Sequence, residues 1–119
     1  MQNQLLELEK RFFDIQYMND ERWLNQMLHE DFQECGKSGV LCYKKETIQA
    51  LLDFKKNRDI IIYNFNVTAI SLNSWIVHYI TISEHQQYYR TSIWVKCDQL
   101  QLLFHQATRL YQKISLTIS

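Results

Sequence analysis

The segment 88–110, which reads YYRTSIWVKCDQLQLLFHQATRL, constrains the fold more than any other part of the chain. Its pattern predicts two β-strands, at about 88–97 and 100–109, joined by a tight turn at Asp98 and Gln99. Two more strands are predicted before it, at about 60–72 and 75–84, so the second half forms an antiparallel meander. Because the first half is mostly helical, we expect an α+β fold in which helices pack on a curved sheet around an internal pocket.

Apolar residues at helical spacing predict three helices in the first half. The first, at about 3–18, carries an apolar stripe of Leu5, Leu8, Phe12 and Ile15. Asn19 is expected to cap the second helix, and the third is predicted at about 45–56. Between the last two, short strands at about 32–36 and 40–43 flank a turn at Gly36–Gly39.

Length and composition exclude several classes of protein. The 119 residues fit one domain, residues 1–119, and a 46% apolar share supplies a core. The net charge is zero, so the clustered basic surface of a nucleic-acid-binding protein is absent. The polar start and the lack of a run of about 20 apolar residues predict neither a signal peptide nor a membrane partner.

The cysteines are odd in number and lack C-x-x-C spacing. Cys35, Cys42 and Cys97 therefore predict neither a disulfide framework nor a zinc site. Reduced thiols of this kind indicate a cytoplasmic protein. No phosphate-binding loop, dinucleotide fingerprint or cluster of metal ligands is present, so neither a cofactor nor a metal is expected.

The predicted turns also predict which side chains share a face of the sheet, because residues paired across an antiparallel ladder point the same way. We take two-residue turns at Asn73-Ser74 and Asp98-Gln99, and a turn centred on His85-Gln86. One largely apolar face is then expected beneath the helices. It includes Tyr63, Phe65, Val67, Ile76, His78, Ile80, Tyr89, Thr91, Ile93, Leu102, Phe104 and Gln106.

The opposite face is mixed but rich in aromatic residues, so it is expected to contact a second copy of the chain. The candidate interface residues are Trp75, Tyr79, Arg90, Ser92, Trp94 and His105. A catalytic pair of Ser92 and His105 is disfavoured, because a strand serine lacks the strained turn and the oxyanion hole of a hydrolase.

Three short sequence motifs occur on the predicted strands and turns: F-x-E-x-G-x-x-G at 32–39, R-x-S-x-W at 90–94 and L-F-H-Q at 103–106. With the order of elements, they make the chain resemble the nuclear transport factor 2-like superfamily, and within it the SnoaL-like families, over nearly its full length. The resemblance implies a cone: N-terminal helices on a curved, mostly antiparallel sheet, with a hydrophobic pocket and a dimer contact on the outer sheet face. Members include isomerases, dehydratases, cyclases and binding or assembly domains, so the resemblance implies a fold rather than a reaction.

Glu34 is the candidate catalytic residue. It lies near the strand position where the ketosteroid isomerases of this superfamily carry their carboxylate base, and an apolar pocket would raise its pKa. His78 could assist it. The oxyanion donor of those isomerases, a tyrosine on the first helix, is replaced by Phe12, and Tyr17 lies on another side of that helix. A steroid isomerase is therefore not predicted.

Three functions remain open after this comparison. The first is binding of a small apolar or aromatic molecule without turnover. Its candidate contacts are Tyr17, Glu34, Tyr63, His78, Tyr89, Thr91 and Gln106. The second is a cofactor-independent isomerase, dehydratase or cyclase that uses Glu34 as base. The third is a homodimeric assembly module without a ligand.

Overall fold

The computed structural model describes all 119 residues as four helices and six strands. The helices are α1 (Gln2–Arg11), α2 (Ile15–Met18), α3 (Glu21–Met27) and α4 (Lys44–Leu52). The strands are β1 (Leu28–Cys35), β2 (Leu41–Tyr43), β3 (Tyr63–Ser71), β4 (Ser74–Ser83), β5 (Gln86–Lys96) and β6 (Leu100–Arg109). None of the four helices combines the length and apolar character needed to cross a membrane.

All six strands belong to one curved, unclosed sheet with the order β2-β1-β6-β5-β4-β3. Every neighbouring pair is antiparallel except β1 and β6, which run parallel. The predicted α+β class, with N-terminal helices packed on a mostly antiparallel sheet, is confirmed.

The first helical region is divided by Asp14. Its carboxylate accepts a hydrogen bond of 2.9 Å from the backbone N–H of Gln16 and so caps α2. Aspartate side chains compete with the backbone in this way and favour helix starts over helix interiors. The helix predicted at 3–18 therefore ends at Arg11, and a new helix begins at Ile15.

Asn19 has a different role from the predicted one. Asp20, the next residue, caps α3 by accepting a hydrogen bond of 3.0 Å from the N–H of Trp23. The Asn19 amide instead donates to carbonyl groups at the end of α4, at 3.2–3.3 Å, namely those of Leu51, Leu52 and Phe54. These contacts satisfy carbonyls that a helix end leaves without partners, so α4 ends before the predicted boundary near residue 56.

The predicted register of β5 and β6 is confirmed up to a bulge. The pairs Thr91–Gln106, Ser92–His105 and Ile93–Phe104 all occur. The ladder then skips Leu103, so Trp94 pairs with Leu102, and the connection spans residues 97–99 rather than two residues.

The other two hairpin turns lie one residue earlier than predicted. Glu84 and His85 form the turn between β4 and β5, with φ of 53° and 65°, the backbone conformation that two-residue hairpins favour. The turn between β3 and β4 lies at residues 72–73 and pairs Val67 with Val77. This shift reverses the predicted relation between the faces of β3 and β4.

The face of β4, β5 and β6 beneath the helices is consequently the opposite of the predicted one. Tyr79 is 1% exposed, and Val77, Ser92 and Trp94 are fully buried, so they point toward the helices. The predicted face of β3 is correct, since Phe65 is buried and its ring centroid lies 5.8 Å from that of Tyr79.

Two remote segments account for this inversion. On the inner face, Glu9 of α1 supplies an acceptor for buried polar side chains. On the outer face, the C-terminal segment 110–119 covers Ile80 and is held by hydrogen bonds from Leu110 N–H to the Gln87 carbonyl (2.8 Å) and from Thr117 N–H to Asn64 (2.7 Å). Because both faces of these strands carry apolar side chains, their alternation did not distinguish the covered face from the open one.

Candidate functional site

A cavity of about 210 Å³ lies between the inner face of the sheet and the helices. Its apolar wall is formed by Phe12, Phe13, Leu28, Phe32, Leu51 and Leu102. Its polar lining is formed by Glu9, Glu34, Lys37, Ser38, Thr47, Arg58, Tyr79, Arg90 and His105. The cavity therefore occupies the position expected for the pocket, but most of its polar lining differs from the predicted set.

Glu9 forms the buried end of this polar lining. Its carboxylate accepts hydrogen bonds from the Tyr79 hydroxyl (2.7 Å) and the Trp94 indole N–H (2.8 Å). Burial raises the pKa of Glu9 above its ordinary value of 4.5, while the hydrogen bonds from Tyr79, Ser92 and Trp94 and the charge of Arg90 oppose that rise. Glu9 thus anchors α1 to the middle of the sheet.

A chain of hydrogen bonds connects Arg90 to Glu9 across β5 and β6. Arginine can only donate, so the 3.2 Å contact between Arg90 Nη1 and His105 Nε2 makes that ring nitrogen an acceptor. His105 Nδ1 then carries the proton and donates to the Ser92 hydroxyl at 2.8 Å, which leaves the hydroxyl hydrogen of Ser92 free to point toward Glu9. Burial, together with the nearby arginine charges, lowers the pKa of His105 to about 3, in agreement with this neutral ring.

Of the residues predicted to contact a ligand, Glu34 is the one that lines the cavity. It follows buried Phe32 by two positions on β1, and strand alternation directs both side chains to the same face. No group of the chain donates a hydrogen bond to its carboxylate. Burial raises the pKa of Glu34, and the charges of Arg58 and Arg90 oppose this rise without direct contact. Glu34 is therefore free to interact with a molecule in the cavity.

Arg58 reaches the cavity from the irregular segment between α4 and β3. Its backbone N–H donates to the Phe13 carbonyl at 3.2 Å, and the neighbouring Asn57 side chain accepts from the Ile15 N–H at 2.8 Å. The guanidinium lies 4.7 Å from the ring centroid of Phe13 and 5.3 Å from that of Phe54. Burial and the charge of Arg90 lower the pKa of Arg58, although arginine remains charged at neutral pH.

Thr47 of α4 contributes a polar atom without a partner. Its side chain lines the cavity, the residue is 5% exposed, and its hydroxyl oxygen makes no hydrogen bond within the chain. The oxygen itself has almost no accessible surface, so it is an unsatisfied hydroxyl buried beside the cavity and not an exposed group of its wall.

The other predicted ligand contacts lie outside the cavity, and their predicted position is wrong. His78, Tyr89, Thr91 and Gln106 are on the outer face, where His78 bonds to Thr91 at 3.0 Å and stacks on Tyr89. His78 and Glu34 are on opposite faces of the sheet, so they cannot form an acid/base pair. Tyr17 packs on Trp23, with centroids 5.1 Å apart, and Tyr63 pairs with Ile118 at the edge of the sheet.

The predicted interface residues lie under the helices rather than on the outer surface. Tyr79, Arg90, Ser92, Trp94 and His105 are buried inside the chain, and Trp75 is half-buried against the core. A second copy of the chain could not contact the buried five without unfolding the helical layer. Their predicted position is wrong because the covered face was assigned to the other side of β4, β5 and β6.

Glu9 and Arg58 were not predicted as site residues. The signal for Glu9 is its place on α1, four residues after Leu5 and three before Phe12, which puts a carboxylate on an apolar stripe. No comparable signal exists for Arg58, because it lies in an irregular segment whose path depends on tertiary contacts. No cluster of three His, Cys, Asp or Glu side chains is placed to hold a metal.

Helices closing over one curved sheet, with a partly polar cavity between the layers, define a cone-shaped α+β protein. Comparison with solved structures identifies this arrangement as the nuclear transport factor 2-like fold. No protein-family model matches the chain, and no curated protein matches it significantly.

Three similar structures come from different bacteria. A nuclear transport factor 2-like protein from Cytophaga hutchinsonii has 18% identity and a TM-score of 0.73, covering 91% of this chain and 97% of its own. Two such proteins of unknown function follow, from Silicibacter pomeroyi (12% identity, TM-score 0.66, 89% and 92% covered) and Pseudomonas aeruginosa (14%, 0.65, 91% and 96%). At these identities the likeness establishes the fold and carries no activity.

Proposed function

We propose that this chain binds a small organic molecule in the central cavity. The observation that carries the proposal is that two polar side chains lining the cavity, the carboxylate of Glu34 and the guanidinium of Arg58, make no hydrogen bond within the chain. Buried polar groups in native proteins nearly always have a partner, so a bound molecule or water would complete these contacts.

The size and lining of the cavity limit the ligand. The volume of about 210 Å³ is somewhat larger than an engineered cavity of about 150 Å³ that binds benzene. A molecule with one ring, or an equivalent aliphatic body, fits this space. Phe12, Phe13 and Phe32 favour an apolar or aromatic body, and the polar wall favours one hydrogen-bonding substituent.

A variant that blocks the cavity tests this proposal. Ser38 lines the cavity but is exposed, so Ser38→Trp should fill its opening without overpacking the core. Ligand-observed NMR against a library of one-ring compounds should detect binders of the native chain that Ser38→Trp no longer binds. Gln4→Trp, on the exposed side of α1, is the control and should bind the same compounds. A library without binders, or equal binding by both variants, contradicts the proposal.

Glu34 supports a second candidate function, proton abstraction next to a carbonyl group without a cofactor. Burial raises its pKa toward the range of a general base, and no residue restrains its carboxylate. Arg58 and Arg90 would stabilise the negative charge that develops on the substrate oxygen. Native chain should accelerate deuterium exchange at the α-carbon of small ketones, and Glu34→Gln should abolish the acceleration while retaining the melting temperature. Equal exchange rates for the native chain and for Glu34→Gln would show that Glu34 takes no part in such a reaction.

A homodimer through the outer sheet face remains part of the proposal, although the contacting residues differ from the predicted ones. Its support is the half-buried apolar group Ile76, Ile93 and Phe104 on that face. Light scattering should give a dimer mass for the native chain and a monomer mass for Ile93→Glu, whereas Gln49→Glu on exposed α4 surface should remain dimeric. A native chain of monomer mass contradicts this part of the proposal.

We also propose a cytoplasmic location. Its support is the set of unpaired thiols, Cys35, Cys42 and Cys97, which oxidising compartments tend to pair. Fractionation of cells that express the chain tests the location, and recovery outside the cytoplasm would contradict it.

A further inference from the structure

We propose that the molecule bound in the cavity is a small monocarboxylate whose carboxylate contacts Arg58 and Arg90. This inference rests on the proposed binding function and names the class of ligand. It begins from two guanidinium groups that line one cavity and lie against one ring: the Cζ atom of Arg58 is 4.7 Å, and that of Arg90 5.5 Å, from the ring centroid of Phe13.

Neither guanidinium is neutralised by a direct carboxylate contact. Arg90 donates to Thr81 at 2.8 Å and to the neutral ring of His105 at 3.2 Å, so three of its five N–H bonds have no partner in the chain. The Arg58 guanidinium contacts aromatic rings. Glu9, the most deeply buried acid, is already occupied by Tyr79 and Trp94. Because a half-buried or buried cation is stabilised by a nearby anion, the cavity favours an anionic guest.

The guest should be a monoanion with a planar group. Arginine presents parallel N–H bonds that match the two oxygens of a carboxylate. The cavity of about 210 Å³ is smaller than the roughly 300–1,000 Å³ of drug-sized pockets, which excludes nucleotides and other large phosphate esters. Glu34 lies on the same wall and would repel a dianion. The phenylalanine side chains of the cavity wall would then contact the hydrocarbon part of the acid.

Matched acids and amides test the inference, because each pair has the same shape and differs in charge. The probes are acetate, propionate, benzoate and phenylacetate, each titrated calorimetrically against its amide. At least one acid should bind the native chain ten times more tightly than its amide. Arg58→Gln should weaken acid binding at least tenfold and change amide binding less than twofold. Glu34→Gln should tighten acid binding several-fold, because it removes a negative charge from the cavity.

Lys56→Gln is the matched control, since it removes a positive charge two residues from Arg58 at an exposed position. It should bind the acids as the native chain does. If amides bind in the cavity as well as their acids do, or if Arg58→Gln retains acid binding, the carboxylate inference is wrong while cavity binding stands. If none of the acid and amide probes binds, and the library compounds bind Ser38→Trp as well as they bind the native chain, both proposals are wrong.

Discussion

Replacing Glu9 by glutamine should destabilise the fold and report the protonation state of this buried carboxyl. The side chains have nearly the same shape, but glutamine replaces one acceptor oxygen by an NH₂ donor. Tyr79 at 2.7 Å and Trp94 at 2.8 Å both donate to Glu9, and both are buried. In Glu9→Gln one of these donors loses its acceptor, which costs about 1–3 kcal/mol.

Urea denaturation measures this loss. With an m-value of about 1–3 kcal/mol/M for a small protein, a loss of about 2 kcal/mol lowers the midpoint by roughly 1 M. Glu7→Gln is the matched control, because Glu7 is exposed on the same helix, and its effect should stay within about 0.5 kcal/mol. Tyr79→Phe removes a donor that Glu9→Gln leaves without an acceptor. The double variant Glu9→Gln with Tyr79→Phe should therefore lose about 1 kcal/mol less free energy of unfolding than the sum of the losses of the two single variants.

An unchanged midpoint for Glu9→Gln would refute this reasoning. Glutamine imitates a protonated carboxyl group better than a carboxylate, so that result would mean that Glu9 is already neutral in the folded protein. The direction assigned to the hydrogen-bond chain through Ser92 would then also be wrong, because that chain ends on an accepting Glu9.

The pKa of His105 is about 3 in the folded protein and about 6.5 when unfolded, so the titration of His105 alone should destabilise the fold progressively from pH 6.5 to pH 3, by on the order of 5 kcal/mol. The raised pKa values of Glu9 and Glu34 act in the opposite direction. His105→Gln should flatten this part of the stability curve in urea titrations, whereas exposed His85→Asn should keep it; equal slopes would contradict burial as the cause. Gly39→Ala should lower the free energy of unfolding by about 1 kcal/mol, because the φ angle of Gly39 is +78°, whereas Gly36→Ala should be nearly neutral. Equal urea midpoints for the two variants would contradict backbone strain at Gly39. Asn19→Ala should lower the thermal midpoint by several degrees, since three carbonyl contacts at the end of α4 disappear, and an unchanged midpoint would show that water replaces them.

Local sequence patterns determined the elements and much of the pairing. Alternation and turn residues predicted β4, β5 and β6, and the pairs Ser92–His105 and Ile93–Phe104 follow from the hairpin alone. Neighbours along the chain make these contacts, so a short stretch contains the information for them. Glu34 was identified as a cavity residue in another way, through the resemblance to the superfamily, whose ketosteroid isomerases carry a carboxylate near this strand position.

Tertiary structure decided which face of the sheet is covered, and with it the composition of the site. Strand alternation sorts side chains into two sets but cannot say which set meets the helices when both are apolar. That choice depended on Glu9, 85 residues from Trp94 along the chain, and on the C-terminal segment over Ile80. Arg58 entered the site for the same reason: its position is held by backbone contact with Phe13, a partner that no local pattern specifies.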